Sequence, residues 1–476
     1  MVKETQDVII PYLCFLFNTF LYYNTFPTQF KCATVIPVHK NGDKTSPSNY
    51  RPISILPVLS KIFEQIIYRQ LLQYFNTNML ISPEQNGFRS EHSTTHTLFK
   101  YIDYISTKLN AGYDVISLYL DLSKAFDTVN HHVLLRKLHL LYSFDPFAIS
   151  FITSYLSDRK IKVKISDSDI SSDYIVKHGV PQGSILGPFL FIIYINDVFS
   201  KVDNELKVVC YADDTVISYP VNSMHQYNNF QIKINNVLEY YAKNFLIINA
   251  KKSFIQIFRR KKNISIHPPT YFYKSMEFEV INNFKYLGVH IDSKLKFNVQ
   301  YESILSKFKY FNSCFCHLSK IIDASTLTKI YLGFILPYVE YCLETFSTFN
   351  LVSLIMLDKI NCRLLKYTDL DEYFFSIIYR LKNKYLRLLC NIIENKTTAS
   401  MRSMLFDSAR ATYITRRNIS LPIANIKLYK FCFSYIIKTL YIKLFDNFNH
   451  SSFDRKNIDF MITILPANIN DFFRPY

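Results

Sequence analysis

The 476-residue chain predicts an α+β fold, and three stretches carry that expectation. Residues 115–122, VISLYLDL, form a short apolar run that ends in an acid and gives way to Leu134, Leu135 and Leu138 at helical spacing. Residues 208–219, VVCYADDTVISY, set β-branched and aromatic residues on either side of a short polar centre, which reads as a hairpin. Between them, GVPQGSILGPFLFIIYIND at 179–197 concentrates Gly and Pro ahead of an apolar helix, with Pro188 near its first turn.

The first stretch orders strand, acid and helix, and places Asp121 at the carboxyl end of a buried strand, where active-site groups collect in α/β sheets. Ser123 is the expected N-cap of the helix that follows. The bland alternative is that Asp121 only complements the helix dipole. In the second stretch Asp213 and Asp214 stand together in a turn without Gly. Asp suits turns, so taken alone these residues read as a solvated hairpin tip. Buried or half-buried, two like charges would require protons or a cation. If the hairpin docks beside 115–122, Asp121 and Asp213 face one another and can share two Mg²⁺, because oxygen-only ligands on a rigid sheet suit that ion.

Composition points the same way. With 49% hydrophobic residues and 8 Gly the chain is neither disordered nor collagen-like, and it is long enough for two or three subdomains. Its net charge of +17 is spread along the sequence and not gathered in a tail, which suggests a polyanionic partner, RNA or DNA. Nine cysteines, without a CxxC pair or Cys/His ladder, argue against a zinc site and a secreted disulfide scaffold and for a reducing compartment. Residues 8–27 carry no charge for a membrane span's length. Pro11, Asn18 and Asn24 interrupt them and Glu4 and Asp7 precede them, so a buried helix is expected and no membrane partner.

YLDLSKAFDTVNH, GVPQGSILGPFLFIIYIND and YADD occur in that order, and together they resemble the reverse transcriptase of non-LTR (LINE-type, jockey-like) retrotransposons. FKCATVIPVHKNGDKTSPSNYRPISILPVLSKIFE at 30–64, QNGFRSEHSTTHTL at 85–98, NAKKS at 249–253 and FKYLGVHID at 284–292 agree with it. The resemblance implies a right-hand polymerase with fingers, a palm of antiparallel sheet plus helices, and a helical thumb. It implies RNA-directed DNA polymerase activity on an RNA template, a DNA primer and deoxynucleoside triphosphates; protein partners stay unknown. Asp121 and Asp213 would be the principal ligands of two Mg²⁺, with Mn²⁺ as a substitute and Asp214 in support. Lys40 and Arg51 would meet the triphosphate, and Gln182 and Gly183 of PQG the nucleotide and template. Phe126 resembles the steric gate that rejects a 2′-hydroxyl, Lys252 the lysine that protonates the leaving pyrophosphate, and Tyr286, Leu287 and Gly288 the primer grip. Taken singly, the cations read first as solvated side chains and Phe126 as one core aromatic among 41 Phe.

The same likeness divides the chain into an N-terminal extension and fingers at 1–110, a palm at 111–300 with a fingers insertion near 128–178, a helical thumb at 301–385 and a basic region at 386–476. ILPYVEYCLETF at 335–346 resembles a thumb-region segment, with Phe346 where Trp is common. The basic run Arg259 to Lys262 reads as a solvated loop or a phosphate contact. The helix-capable stretch with Lys427, Lys430, Lys438 and Lys443 fits an RNA-contacting tail and a packing helix equally. The family's upstream endonuclease and a Cys/His knuckle are not recognisable, so a fragment or truncated copy is expected. It would act inside the cell, in the nucleus for an active element. Two alternatives remain: a catalytically inactive nucleic-acid-binding relic, and an intron-encoded reverse transcriptase or maturase.

Overall fold

The computed structural model describes residues 6–40, 42–259, 269–394, 396–398, 401 and 436–441. Its centre is the strand Asp114–Leu120, in which every residue is buried. Side chains alternate across a strand. Ile116, Leu118 and Leu120 enter one core with Leu190 and Ile193 of the helix Leu186–Ile195 and with Phe230 and Ile234 of the helix Met224–Lys243. Val115 and Tyr119 enter a second core with Leu98 and Ile102 of the helix Thr94–Asn110. Both faces of the strand are therefore covered, which is why its sequence is an unbroken apolar run.

Around it lies a six-stranded sheet in the order Tyr271–Tyr273, Met276–Ile281, Phe254–Phe258, Asp114–Leu120, Asp214–Val221 and Lys207–Tyr211. Pairing is antiparallel except between Phe254–Phe258 and Met276–Ile281. The hairpin expected at 208–219 is there, with Tyr211 opposite Asp214. Its second strand pairs with the central one, Leu120 opposite Thr215. A smaller sheet has the order Tyr50–Ile55, Cys32–His39, Arg159–Val163 and Tyr174–Val176, so residues 159–176 return to the sheet begun at residue 32.

The helix Leu186–Ile195 is apolar all round and buried along its length, as a core helix should be. The buried Glu64 carboxylate caps it, accepting from the N–H groups of Ile185 at 2.8 Å and Leu186 at 3.1 Å. The expected cap at Ser123 is not found. Ser123 lies in a two-residue strand, Lys124 turns the chain with φ 50°, and the helix His131–Leu140 starts later, capped by Asn130. Asp121 is thus separated from any helix start.

The helices Asn298–Leu318, Ala324–Ile330, Leu351–Leu365 and Ile377–Ile393 share the second core through Phe308, Leu327, Leu357 and Leu386. Ile436, Ile437, Leu440 and Tyr441 are buried in it too, and Lys438 is buried with them, so this part of the basic region packs. Lys427, Lys430, Lys443 and residues 260–262 lie outside the described residues.

The helix over Gln6–Tyr22 forms, running through Pro11, but it is not buried. Phe17 reaches the core and stacks on Phe63 at 4.7 Å, whereas Val8, Tyr12, Phe15 and Tyr22 are exposed. A segment that is apolar on all sides has no pattern from which to read its buried face. Among the described residues no helix is long and apolar enough to cross a membrane, and the eight described cysteines form no disulfide.

Candidate catalytic site

Asp121 follows the central strand directly, and its backbone is held on both sides. Its N–H donates to Ser253 Oγ at 3.0 Å and its carbonyl accepts from the Asn249 N–H at 2.9 Å. Burial raises its carboxyl above the usual range, opposed by Lys252, a hydrogen bond from the Asn249 side chain, and Lys40. Asp213 occupies the hairpin turn; burial raises its carboxyl, the Asp121 charge raises it further, and Lys40 and Arg51 pull it back. Asp214 opens the returning strand and keeps a solvent-facing surface, yet burial in its surroundings, then Asp213 and Asp121, push it up to about 6. The three carboxylates therefore repel one another, and Lys40 acts on all three. The solvated-tip reading fails.

Among the described residues no group of three or more His, Cys, Asp or Glu side chains is arranged to hold a metal ion. Asp214 is the residue expected in support of Asp121 and Asp213. Asp214 lies in a strand beyond the turn, and its charge is felt by Cys210 and Tyr286 behind the hairpin. The donors suited to a hard cation are the carboxylates of Asp121 and Asp213 on adjacent strand ends, and this all-oxygen pair fits an ion that completes its shell with water and substrate phosphate.

Sequence reasoning missed the residues that hold the hairpin turn. Ala212 has φ 56°, at the turn position where a two-residue hairpin usually carries Gly. Gln85, wholly buried, accepts from the Ala212 N–H at 3.0 Å and donates to the Ala212 carbonyl at 3.3 Å. Asn86 binds the Cys210 carbonyl through both its N–H at 2.9 Å and its side chain at 3.1 Å. The QNGF block signalled importance without a role.

Of the residues expected at the nucleotide, Lys40 follows the strand Cys32–His39 and Arg51 lies in the neighbouring strand opposite Val38. Phe126 is half-buried, its ring 4.6 Å from Phe191 and edge-on to Phe88 at 6.5 Å. The Gln182 side chain donates to Asp127 at 2.9 Å, and the Gln182 carbonyl accepts from the Ser54 N–H at 2.7 Å. Gly183 has φ 120°, and a Cβ there would lie 2.4 Å from the Ser54 carbonyl oxygen, so only Gly fits. Lys252 is exposed on the turn after Asn249, close enough to act on Asp121.

Of the residues expected at the primer, Tyr286 pairs with Val289 across a tight turn in which Leu287 and Gly288 both have positive φ, 44° and 82°. Tyr286 itself is buried between Tyr101 and Tyr119, so its ring supports the turn from behind and is not presented at the surface. The Tyr341 hydroxyl donates to the Leu287 carbonyl at 2.9 Å.

The family model for reverse transcriptase (RNA-dependent DNA polymerase) matches residues 38–291, a span that holds Lys40, Gly288 and every predicted site residue between them. The chain is 30% identical over 313 residues to the probable RNA-directed DNA polymerase from transposon X-element of Drosophila melanogaster, covering 65% of this chain and 34% of that protein. It is 30% identical over 319 residues to the RNA-directed DNA polymerase from mobile element jockey of the same species, again covering 65% and 34%. The chain therefore spans about a third of the length of these relatives. Among solved structures it is similar to a telomerase from Candida tropicalis in complex with a fragment of telomeric RNA, at 13% identity and a TM-score of 0.43, covering 93% of this chain and 65% of that one. Since the matched model takes in more than half of the sequence, the chain belongs to the reverse transcriptase (RNA-dependent DNA polymerase) family.

Proposed function

We propose that this chain extends a DNA primer on an RNA template, adding deoxynucleotides by Mg²⁺-dependent nucleotidyl transfer. The observation that carries the reading is the pairing of Asp121 and Asp213 on adjacent strand ends, with Lys40 and Arg51 acting on the acidic group from the smaller sheet. Asp121 and Asp213 would hold the metal. Bound there, a pair of divalent ions would supply activation of the primer's terminal hydroxyl and charge neutralisation on the departing pyrophosphate.

The chain's own groups bind and orient the reactants. Lys40 as a point charge and Arg51 as a fork bind the triphosphate. Phe126, propped by Phe191, lies against the sugar and excludes a 2′-hydroxyl. Gln182 and Gly183 shape the surface beneath the nucleotide, Lys252 beside Asp121 is the proton donor to pyrophosphate, and the Leu287–Gly288 turn supports the primer end.

The domain division proposed with this function is fingers over 1–110, joined by residues 159–176 through strand pairing, a palm over 111–300, and a helical thumb from 301. The helix Ile377–Ile393 carries the thumb past residue 385.

The test is primer extension on an RNA template with the parent protein and Asp213→Asn side by side. Extension by the parent, none by the variant and equal template affinity are expected, because template binding comes from the cations. A folded parent that binds template without extending primer would overturn the reading in favour of a non-enzymatic relic.

A further inference from the structure

We propose that Gln85 is a positioning residue for catalysis: its side-chain amide holds the Ala212–Asp213 turn in the backbone conformation that aims the Asp213 carboxylate at Asp121. The inference rests on the polymerase reading above and adds to it a residue that touches neither substrate nor metal.

Four observations converge. Ala212 adopts a left-handed conformation that an L-residue with a Cβ disfavours, so something outside the turn must maintain it. The Gln85 side chain binds both backbone polar groups of Ala212, accepting from the N–H at 3.0 Å and donating to the carbonyl at 3.3 Å, as a neighbouring strand would. The same Oε1 accepts from the Gly87 N–H at 2.9 Å, which fixes the amide's own orientation. Gly87 lets the two chains come this close, since a Cβ there would lie 2.3 Å from the Ala212 nitrogen.

The chemistry is specific to Gln. Asn is too short to span to Ala212; Met keeps the volume and loses every bond. Glu keeps the acceptor but loses the donor, and would bring a fourth carboxylate to a site already crowded with three. The partner of Gln85 is also the residue before the metal-binding acid, so a small rotation of this turn displaces the Asp213 carboxylate directly.

The test compares the parent, Gln85→Met, and Gln85→Met with Ala212→Gly, in two measurements. Hydrogen exchange over residues 210–214 reads the turn itself, without substrate or metal; Gln85→Met should lose protection there while the helix Leu186–Ile195 keeps its own. Steady-state extension reads the consequence. Turnover should fall on the order of 10²-fold, the Mg²⁺ concentration for half-maximal rate should rise, and the KM for nucleotide and the template affinity should hold. Gly adopts positive φ freely, so Ala212→Gly should recover part of the lost turnover, a rescue that a general structural defect would not show.

Unchanged exchange at 210–214 in Gln85→Met would overturn the proposal, as would a turnover loss that Ala212→Gly leaves untouched. A parent that is protected at 210–214 but does not extend primer would overturn the polymerase reading and leave the positioning contact standing.

Discussion

The side-chain amide of Gln182 donates to the carboxylate of Asp127 at 2.9 Å, fifty-five residues away in sequence, while the Gln182 carbonyl accepts from the Ser54 N–H at 2.7 Å. Burial raises the Asp127 carboxyl, and the bond from Gln182, with Lys124, lowers it again, so each partner stabilises the other. With its nitrogen committed to Asp127, the side chain of Gln182 is held in one orientation, the one it would offer a nucleotide on the proposed function. Asp127→Ala should free it and raise the KM for deoxynucleotide several-fold with a smaller change in turnover. Steady-state extension at varied nucleotide concentration checks this, and an unchanged KM would remove Asp127 from the account.

Gly183→Ala is expected to disturb the same junction from the other side. Positive φ and a Cβ 2.4 Å from the Ser54 carbonyl cannot both be accommodated without moving the strand Tyr50–Ile55, which carries Arg51. The cost should be about 1–3 kcal/mol of stability, read as a lower urea midpoint, together with weaker nucleotide binding. A variant with parental midpoint and KM would show that the loop yields freely.

How much of this was legible in sequence depends on how local each feature is. The hairpin and its aspartates could be read because β-branched residues flank them, and the right-hand polymerase architecture because the blocks that resemble the family lie in order. The cap at Asn130 was missed because the positive φ of Lys124, which delays the helix, leaves no trace in composition. Gln85 was missed for a different reason: its partner lies 127 residues away and the bond runs from side chain to backbone, so neither periodicity nor residue pairing reports it. The burial of Tyr286 is not legible in sequence either, because it comes from rings distant along the chain, Tyr101 and Tyr119.

Lys100 gives a pH dependence with a definite sign. Its ammonium is buried against the Pro83 carbonyl at 2.8 Å and Asn86 Oδ1 at 2.9 Å, and burial lowers it to about 8, with Glu84 opposing and Lys207 and Arg89 adding to the shift. Between about 8 and the ordinary lysine value the unfolded chain holds more protons than the folded one, so this group makes stability rise with pH across that window. The slope from one proton cannot exceed about 1.4 kcal/mol per pH unit. Urea unfolding of the parent and Lys100→Met from pH 7 to 10 should show the parent gaining on the variant as pH rises; parallel curves would refute the assignment.

Phe126→Val should relax sugar discrimination. The ring is held between Phe191 at 4.6 Å and the edge of Phe88, a support that fixes it without hiding it. Val removes the outer part of the ring and leaves the 3-10 turn Ala125–Asp127 room to keep its shape. Incorporation of ribonucleotides relative to deoxynucleotides should rise by an order of magnitude or more, and an unchanged ratio would return Phe126 to the core.

Tyr341 links the helical part of the chain to the turn that would support the primer. Its hydroxyl donates to the Leu287 carbonyl at 2.9 Å, and its ring lies where a Cβ on Gly288 would stand, 2.8 Å away. Tyr341→Phe keeps that ring and removes the one bond, worth about 0.5–1.5 kcal/mol when fully buried and nearer the low end here, since Tyr341 is 43% exposed. Folding should therefore be almost unaffected. What should change is the hold on the primer end: with a trap that prevents rebinding, products should shorten while the rate of the first addition stays at the parental value. Shorter products with a slower first addition would place Tyr341 in the chemistry, and products of parental length would mean that the turn holds its shape through Leu287 and Gly288 alone.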